Sequence, residues 1–299
     1  ALVALAGWMR PWSRESSVPP SVPTQLSLLV PDFGAAGTGL QRQLELTPDG
    51  SSLLYVALVD GVPRTKLVPL DGGEGRVLEG VEPGLDDYSI SQDGQSFTAS
   101  SVATGAQFRY SIAGGAGRPL PRDVSNGTRG VWAGDGSYWL GTKLSGQSDV
   151  ARVSATDSVS HPFGHHPTDL LLNQILPGDR TALAVRQPVG TPTGPLLLLD
   201  LRTGDTSPLL SDPVTEARYA AGHLVYVTGE GTLHAAPFDL RTNRLTASPV
   251  TLATGVTVTN SGQAQFSVAS NGTVAFLVEA GWSVLVTDRT GTGQPVLKE

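Results

Sequence analysis

The chain of 299 residues contains no cysteine, which removes disulfide frameworks and every cysteine-based metal site while leaving the compartment open. Charge is sparse at 16% of residues, and the 20 Lys and Arg set against 27 Asp and Glu form no basic stripe. A nucleic-acid surface, which needs cations clustered against phosphate, is thereby excluded. No window of ten or more residues keeps apolar positions at i, i+3, i+4 and i+7, so almost no helix is expected. The uncharged stretch from Ala1 to Met9 is too short to cross a bilayer, which takes roughly 20 residues. Catalytic signatures are missing as well. There is no Gly-x-Ser-x-Gly elbow, and Gly34 to Gly39 has its glycines in the wrong order for a phosphate loop. Asp32-Phe33-Gly34 matches the magnesium-holding triplet of kinases, but none of the motifs that triplet works with is present.

What the chain has is glycine, 36 of them, and 22 prolines, spread through many turns rather than gathered in one tract. The stretch from Leu44 to Gly72 reads as three short strands, because Pro48-Asp49-Gly50 supplies a fixed φ, a side-chain cap and a φ > 0 position between apolar runs. The unit recurs. Turn glycines fall at Gly50, Gly94, Gly136, Gly178, Gly222 and Gly272, in steps of 44, 42, 42, 44 and 50 residues. A period in the low forties built from strands is the mark of propeller blades, so the expected fold is all-β, a six-bladed β-propeller over 24–299. Runs such as Pro195 to Leu201 fit strands packed on both faces. Ser207 to Leu210 is read as the outer strand of blade four, and Ala217 to Ala220 as the inner strand of blade five. Thr24 to Val30 is a leading strand that closes the ring, either beside Gln294 to Lys298 or in its place.

Residues 1–23 are read as a membrane-proximal apolar segment followed by a Pro/Ser spacer. One expectation is the exit end of a membrane helix whose earlier part precedes Ala1, with Trp8, Arg10 and Trp12 at headgroup level as membrane or partner contacts; the other is a loosely packed tail or signal remnant.

Candidate chemistry is thin. His161, His165 and His166 share one short stretch, but its Pro and Gly residues already account for it as a solvated outer turn rather than a metal site. A lactonase-type channel metal needs carboxylates on several inner strands, where the chain offers Glu45, Asp87 and Glu216. Asn126-Gly127-Thr128 and Asn271-Gly272-Thr273 read as hairpin turns rather than glycan acceptors. Trp132, Trp139 and Trp282 are expected in the core. No catalytic residue, metal ligand or cofactor is assigned.

Leu46-Thr47-Pro48-Asp49-Gly50, followed by a strand ending Leu70-Asp71-Gly72-Gly73, resembles the repeats of TolB-like propellers of bacterial envelope proteins. Ala236 to Thr242 and Gln265 to Phe276 are similar to propeller regions beyond the membrane helix of some bacterial serine/threonine kinases. The resemblance implies a non-enzymatic, protein-binding or scaffolding module outside the cytoplasm, and the expected setting is the periplasmic face, as an accessory subunit docked on a larger membrane-protein complex of photosynthetic, transport or envelope type. Two alternatives stand beside it: the extracytoplasmic sensor domain of a membrane-anchored kinase, and a lactonase-like hydrolase with a channel metal.

Overall fold

A computed structural model describes residues 26–29, 43–121, 130–144, 147–154, 160–166, 170–187, 191–259, 261–278 and 283–287, and these residues contain strands and turns with no helix. The chain opens with β1 (Leu26–Leu29). The first module is β2 (Leu44–Leu46), β3 (Ser52–Val59), β4 (Val62–Pro69) and β5 (Arg76–Val77); the second is β6 (Leu85–Ile90), β7 (Ser96–Ser101), β8 (Gln107–Ser111) and β9 (Arg118–Pro119). The third is β10 (Gly130–Trp132), β11 (Tyr138–Leu144), β12 (Gln147–Val153) and β13 (Ser160–His166). Next come β14 (Leu170–Ile175), β15 (Thr181–Arg186), β16 (Gly194–Asp200) and the long β17 (Thr206–Ala220). Then follow β18 (His223–Thr228), β19 (Leu233–Asp239), β20 (Arg244–Leu245) and β21 (Val250–Ala253), and finally β22 (Phe266–Val268), β23 (Val274–Val278) and β24 (Ser283–Thr287).

Within each sheet neighbouring strands pair antiparallel, in chain order except that β1 pairs with β24 and β21 with β19. The innermost strands touch in a closed circuit: β2 on β6, β6 on β10, β10 on β14, β14 on β17, β17 on β22, and β22 back on β2. A ring of this kind has no single centre. Among the described residues its buried apolar side chains sit in six clusters, one at each seam between adjacent modules. The strand pleat divides them: in β3, Leu53, Tyr55 and Ala57 face one seam while Leu54 and Val56 face the other. That two-sided burial is why the second and third strands read as unbroken apolar runs.

Polar latches reinforce the seams. Thr65 and Tyr88 share a hydroxyl hydrogen bond of 2.9 Å, the Trp132 indole donates to Ser89 O at 2.9 Å, and Gly134 N donates to Asp179 Oδ1 at 2.9 Å. Ala217 N donates to Asn173 Oδ1 at 2.8 Å, Val256 N to Gly231 O at 2.9 Å, and Gln43 N to Gln265 Oε1 at 3.0 Å.

Two strand expectations are corrected and one open question is resolved. β17 is one continuous strand, where two were expected at Ser207–Leu210 and Ala217–Ala220; its first part pairs with β16 and its second with β18. A register shift lets the chain cross from the rim of one module to the centre of the next. His161, His165 and His166 lie on β13 rather than in a turn, because an outermost strand tolerates Pro162 without losing an inner ladder bond. The closure question is answered at β24: β1 pairs directly with it, Leu26 with Val286 and Leu29 with Ser283, so the leading strand takes the outer place. Gln294 to Lys298 lies outside the described residues, as do Trp8, Arg10, Trp12, Trp282 and Asn126.

Candidate functional site

Each inner strand ends in a turn on the same face of the ring, and the turns are built by short-range chemistry. In the first, Gly50 N donates to Thr47 O at 2.8 Å, and the Asp49 carboxylate accepts the Thr47 hydroxyl at 2.6 Å and Ser51 N at 3.0 Å. Gly50 has φ +72°, and a Cβ there would lie 2.7 Å from the Asn271 amide, so only glycine fits. The second turn repeats the device with the Ser91 hydroxyl on Asp93 at 2.6 Å. In the third, Asp135 accepts Ser137 N at 2.8 Å and the Arg152 guanidinium at 2.5 Å. The hydroxyl of Thr47 holds the Asp49 carboxyl below the usual carboxylate range, and that of Ser91 does the same for Asp93. Burial pushes Asp135 up, but Ser137 and Arg152 bring it below that range as well.

The variant turns have reasons of their own. Asp179, moved one position later, reaches into the neighbouring turn at Gly134. The fifth turn needs no aspartate, since Ala221 and Gly222 at φ 49° and 82° make a two-residue hairpin. In the sixth, Asn271 caps Thr273 N at 2.9 Å and donates to Asp49 O at 2.9 Å. Ser270 N donates to Pro48 O at 2.8 Å, Gln92 Nε2 to Trp132 O at 3.1 Å, and Arg109 to Gly136 O at 2.9 Å, with its guanidinium 4.4 Å over the Trp132 ring. The six turns form a collar on this face of the ring, and at three seams, sixth to first, second to third and third to fourth, they are bonded to the neighbouring module.

Inside the collar lies an axial cavity of about 90 Å³, to which every inner strand contributes, among them Glu45, Ser89, Trp132, Asn173, Arg218 and Ser270. That volume holds about three waters at ~30 Å³ each, well short of the ~300 Å³ at which small-molecule sites begin. Arg218 on its wall is tied to Glu216 at 2.8 Å and to Asn173 O. Glu216 is fully buried. Of the three carboxylates that the inner strands offer, Glu45, Asp87 and Glu216, only Glu45 lines this cavity. Asp87 is buried at φ 56° beside a register shift in β6. Its neighbour Asp86, not singled out from sequence, is also buried; that burial, with the charge of Asp87, pushes its carboxyl up to about 7. The adjacent Asp-Asp pair on an inner strand was the available signal. Among the described residues no three His, Asp or Glu side chains converge to hold a metal ion. Trp132 and Trp139 are buried at seams.

No family model and no curated protein matches the chain. Solved structures do. TolB from Acinetobacter baumannii aligns over 83% of this chain and 54% of its own at 15% identity and a TM-score of 0.54, so the chain spans about half of that protein. A protein of Agrobacterium tumefaciens described as a TolB aligns over 71% and 80% at 15% identity and TM-score 0.55. An oligogalacturonate lyase in complex with manganese aligns over 83% and 89% at 14% identity and TM-score 0.57. At such identities the likeness speaks to architecture alone, and joined to the closed circuit of inner strands it identifies that architecture: the chain has the all-β, TolB-like propeller fold.

Proposed function

We propose that the chain is a protein-docking module that performs no bond-making step of its own and uses the collar as its contact face. The observation that carries this reading is the bonding of collar turns to the neighbouring module at three seams, Asn271 to Asp49, Gln92 to the end of β10 at Trp132, and Asp179 to Gly134. Loops already fixed lose little conformational freedom on association, which favours affinity at such a face. The proposed setting is an accessory subunit of a membrane-protein complex on the periplasmic face, with the segment holding Trp8, Arg10 and Trp12 as the tether; the sensor domain of a membrane-anchored kinase is the competing setting. Isolation of the native protein in mild detergent, with identification of what accompanies it, tests both. Asp49→Asn, Asp93→Asn and Asp135→Asn keep the capping oxygen and remove the charge, so the combined variant is expected to fold and to lose its companions. Undiminished co-isolation would overturn the collar as the docking face.

A further inference from the structure

Between the fourth and fifth modules the sheets splay into a wedge of about 620 Å³, the size of a small-ligand or short-peptide site. It opens on the collar side, because the β16–β17 turn beside it is bonded to the inner turn through Leu201 N and Arg180 O at 2.8 Å. Two copies of one turn frame it. Asp200-Leu201-Arg202-Thr203 and Asp239-Leu240-Arg241-Thr242 repeat the same four residues, each followed by a left-handed position, Gly204 at φ 80° and Asn243 at φ 54°. In both copies the aspartate holds its own turn: Asp200 Oδ1 accepts Arg202 N at 2.7 Å and Thr203 N at 3.0 Å, and Asp239 accepts Arg241 N at 2.8 Å and the Thr242 hydroxyl at 3.0 Å.

The other polar groups of the wedge behave differently. Asp205, Ser207 and Arg244 line it and are exposed, and their side chains make no hydrogen bond or ion pair among the described residues. An aspartate and an arginine therefore face one cavity without pairing. Its floor is apolar, with Leu198, Leu209 and Leu245. Its walls are outermost strands paired on one side only, Thr206–Leu210 on β16 and β20 on β19.

We propose that this wedge seats an extended segment of a partner protein that carries one basic and one acidic side chain. The basic group meets Asp205, the acidic group meets Arg244, and an apolar side chain between them rests on the leucine floor. Charge complementarity selects this occupant. A polyanion meets repulsion from Asp200 and Asp205, and a saccharide finds no aromatic face to stack on among the lining residues. Pro208 removes one edge donor, so side chains rather than a continuous added-strand ladder supply the selectivity.

The inference rests on the docking role proposed above and has its own test. A displayed library of random octapeptides is selected on purified protein, and the survivors are measured against Asp205→Asn, Arg244→Gln and the charge-swapped Asp205→Arg/Arg244→Asp protein. Survivors are expected to combine a Lys or Arg with an Asp or Glu, to bind each single variant at least tenfold more weakly, and to leave urea unfolding of the variants unchanged. Peptides selected on the swapped protein are expected to carry the two charges in reversed order. No enrichment, survivors indifferent to both variants, or saccharide-array binding that depends on Asp205 and Arg244 overturns the wedge as a peptide seat. Loss of companions in the collar variants together with an indifferent library would sink the wedge and leave the docking role standing; the reverse pattern would move the docking face from the collar to the wedge.

Discussion

Arg218 and Glu216 carry charges into the buried inner strand β17, and their value lies in being paired. Arg218→Ala removes the guanidinium paired with the buried Glu216 carboxylate, and a loss of about 3–5 kcal/mol is expected in urea unfolding. Arg218→Met with Glu216→Gln removes both charges and is expected to cost markedly less. Asp86 works in the opposite sense. Its carboxyl titrates near 7 in the folded protein against 3.8 for the ordinary group, so the native state binds the proton more tightly than the unfolded chain. Its contribution to stability is complete below about pH 4 and is lost as pH rises through 7. Asp86→Asn is therefore expected to flatten the fall in melting temperature between pH 4 and 7 and to stabilise the protein at pH 8; an unchanged profile would reject this assignment. The collar aspartates lie below 3.8 and add an acid limb, where stability falls as pH drops through their folded values. Capping aspartates such as Asp49 were legible in the sequence because the device is contained within five residues. Asp86 was legible only as one half of the adjacent Asp86-Asp87 pair, because its burial by a neighbouring module is not written in the local pattern.

At the scale of the element, β1 is the strand on which closure depends. It covers the outer edge of β24 with four residue pairs, and an uncovered edge is a template for another chain. Truncation before Val30 is expected to lower the urea midpoint and to produce self-association visible by light scattering, and a synthetic peptide spanning Thr24 to Val30 added in trans is expected to reverse both. A monomeric truncation of full stability would show that β24 needs no cover. The second and third strands of each module were readable because they bury both faces, as β15 does with Ala182 and Ala184 to one seam and Leu183 and Val185 to the other. Where chain direction rather than burial decides, the reading failed. Ser211-Asp212-Pro213 looks like a break, yet the chain stays extended through it because β17 has to travel from a rim to the axis. β20 escaped notice because two residues, Arg244 and Leu245, are too few for any periodicity. The wedge was half legible: the repeated Asp-Leu-Arg-Thr was there to be counted, while the space between its two copies belongs to the third dimension.

For the whole molecule, if residues 1–23 act as the proposed tether, the side of the ring on which β1 begins sets the orientation of the proposed docking face. Val274 follows the collar turn at Asn271-Gly272, and it lies opposite Thr287 at the end of β24. Leu26 pairs with Val286 one position away, so the chain before Leu26 departs from the collar side of the rim. The thirteen residues from Ser13 to Gln25 reach at most about 45 Å when fully extended. A tether anchored through Trp8, Arg10 and Trp12 would then hold the collar toward the membrane and the β3–β4 and β7–β8 turns away from it. The absence of native cysteine makes this directly measurable, since any single introduced thiol is the only one in the chain. Gln95 and Ala103 are exposed residues of the second module on opposite faces of the ring, Gln95 in the collar turn and Ala103 in the β7–β8 turn. In native membranes, Gln95→Cys is expected to react several-fold more slowly with a water-soluble maleimide than it does after detergent extraction, while Ala103→Cys reacts at the same rate in both. Protection of Ala103→Cys instead would invert the orientation and carry the docking face to the far side of the ring, and equal reactivity of both thiols in membranes would mean that the tether imposes no orientation on the propeller.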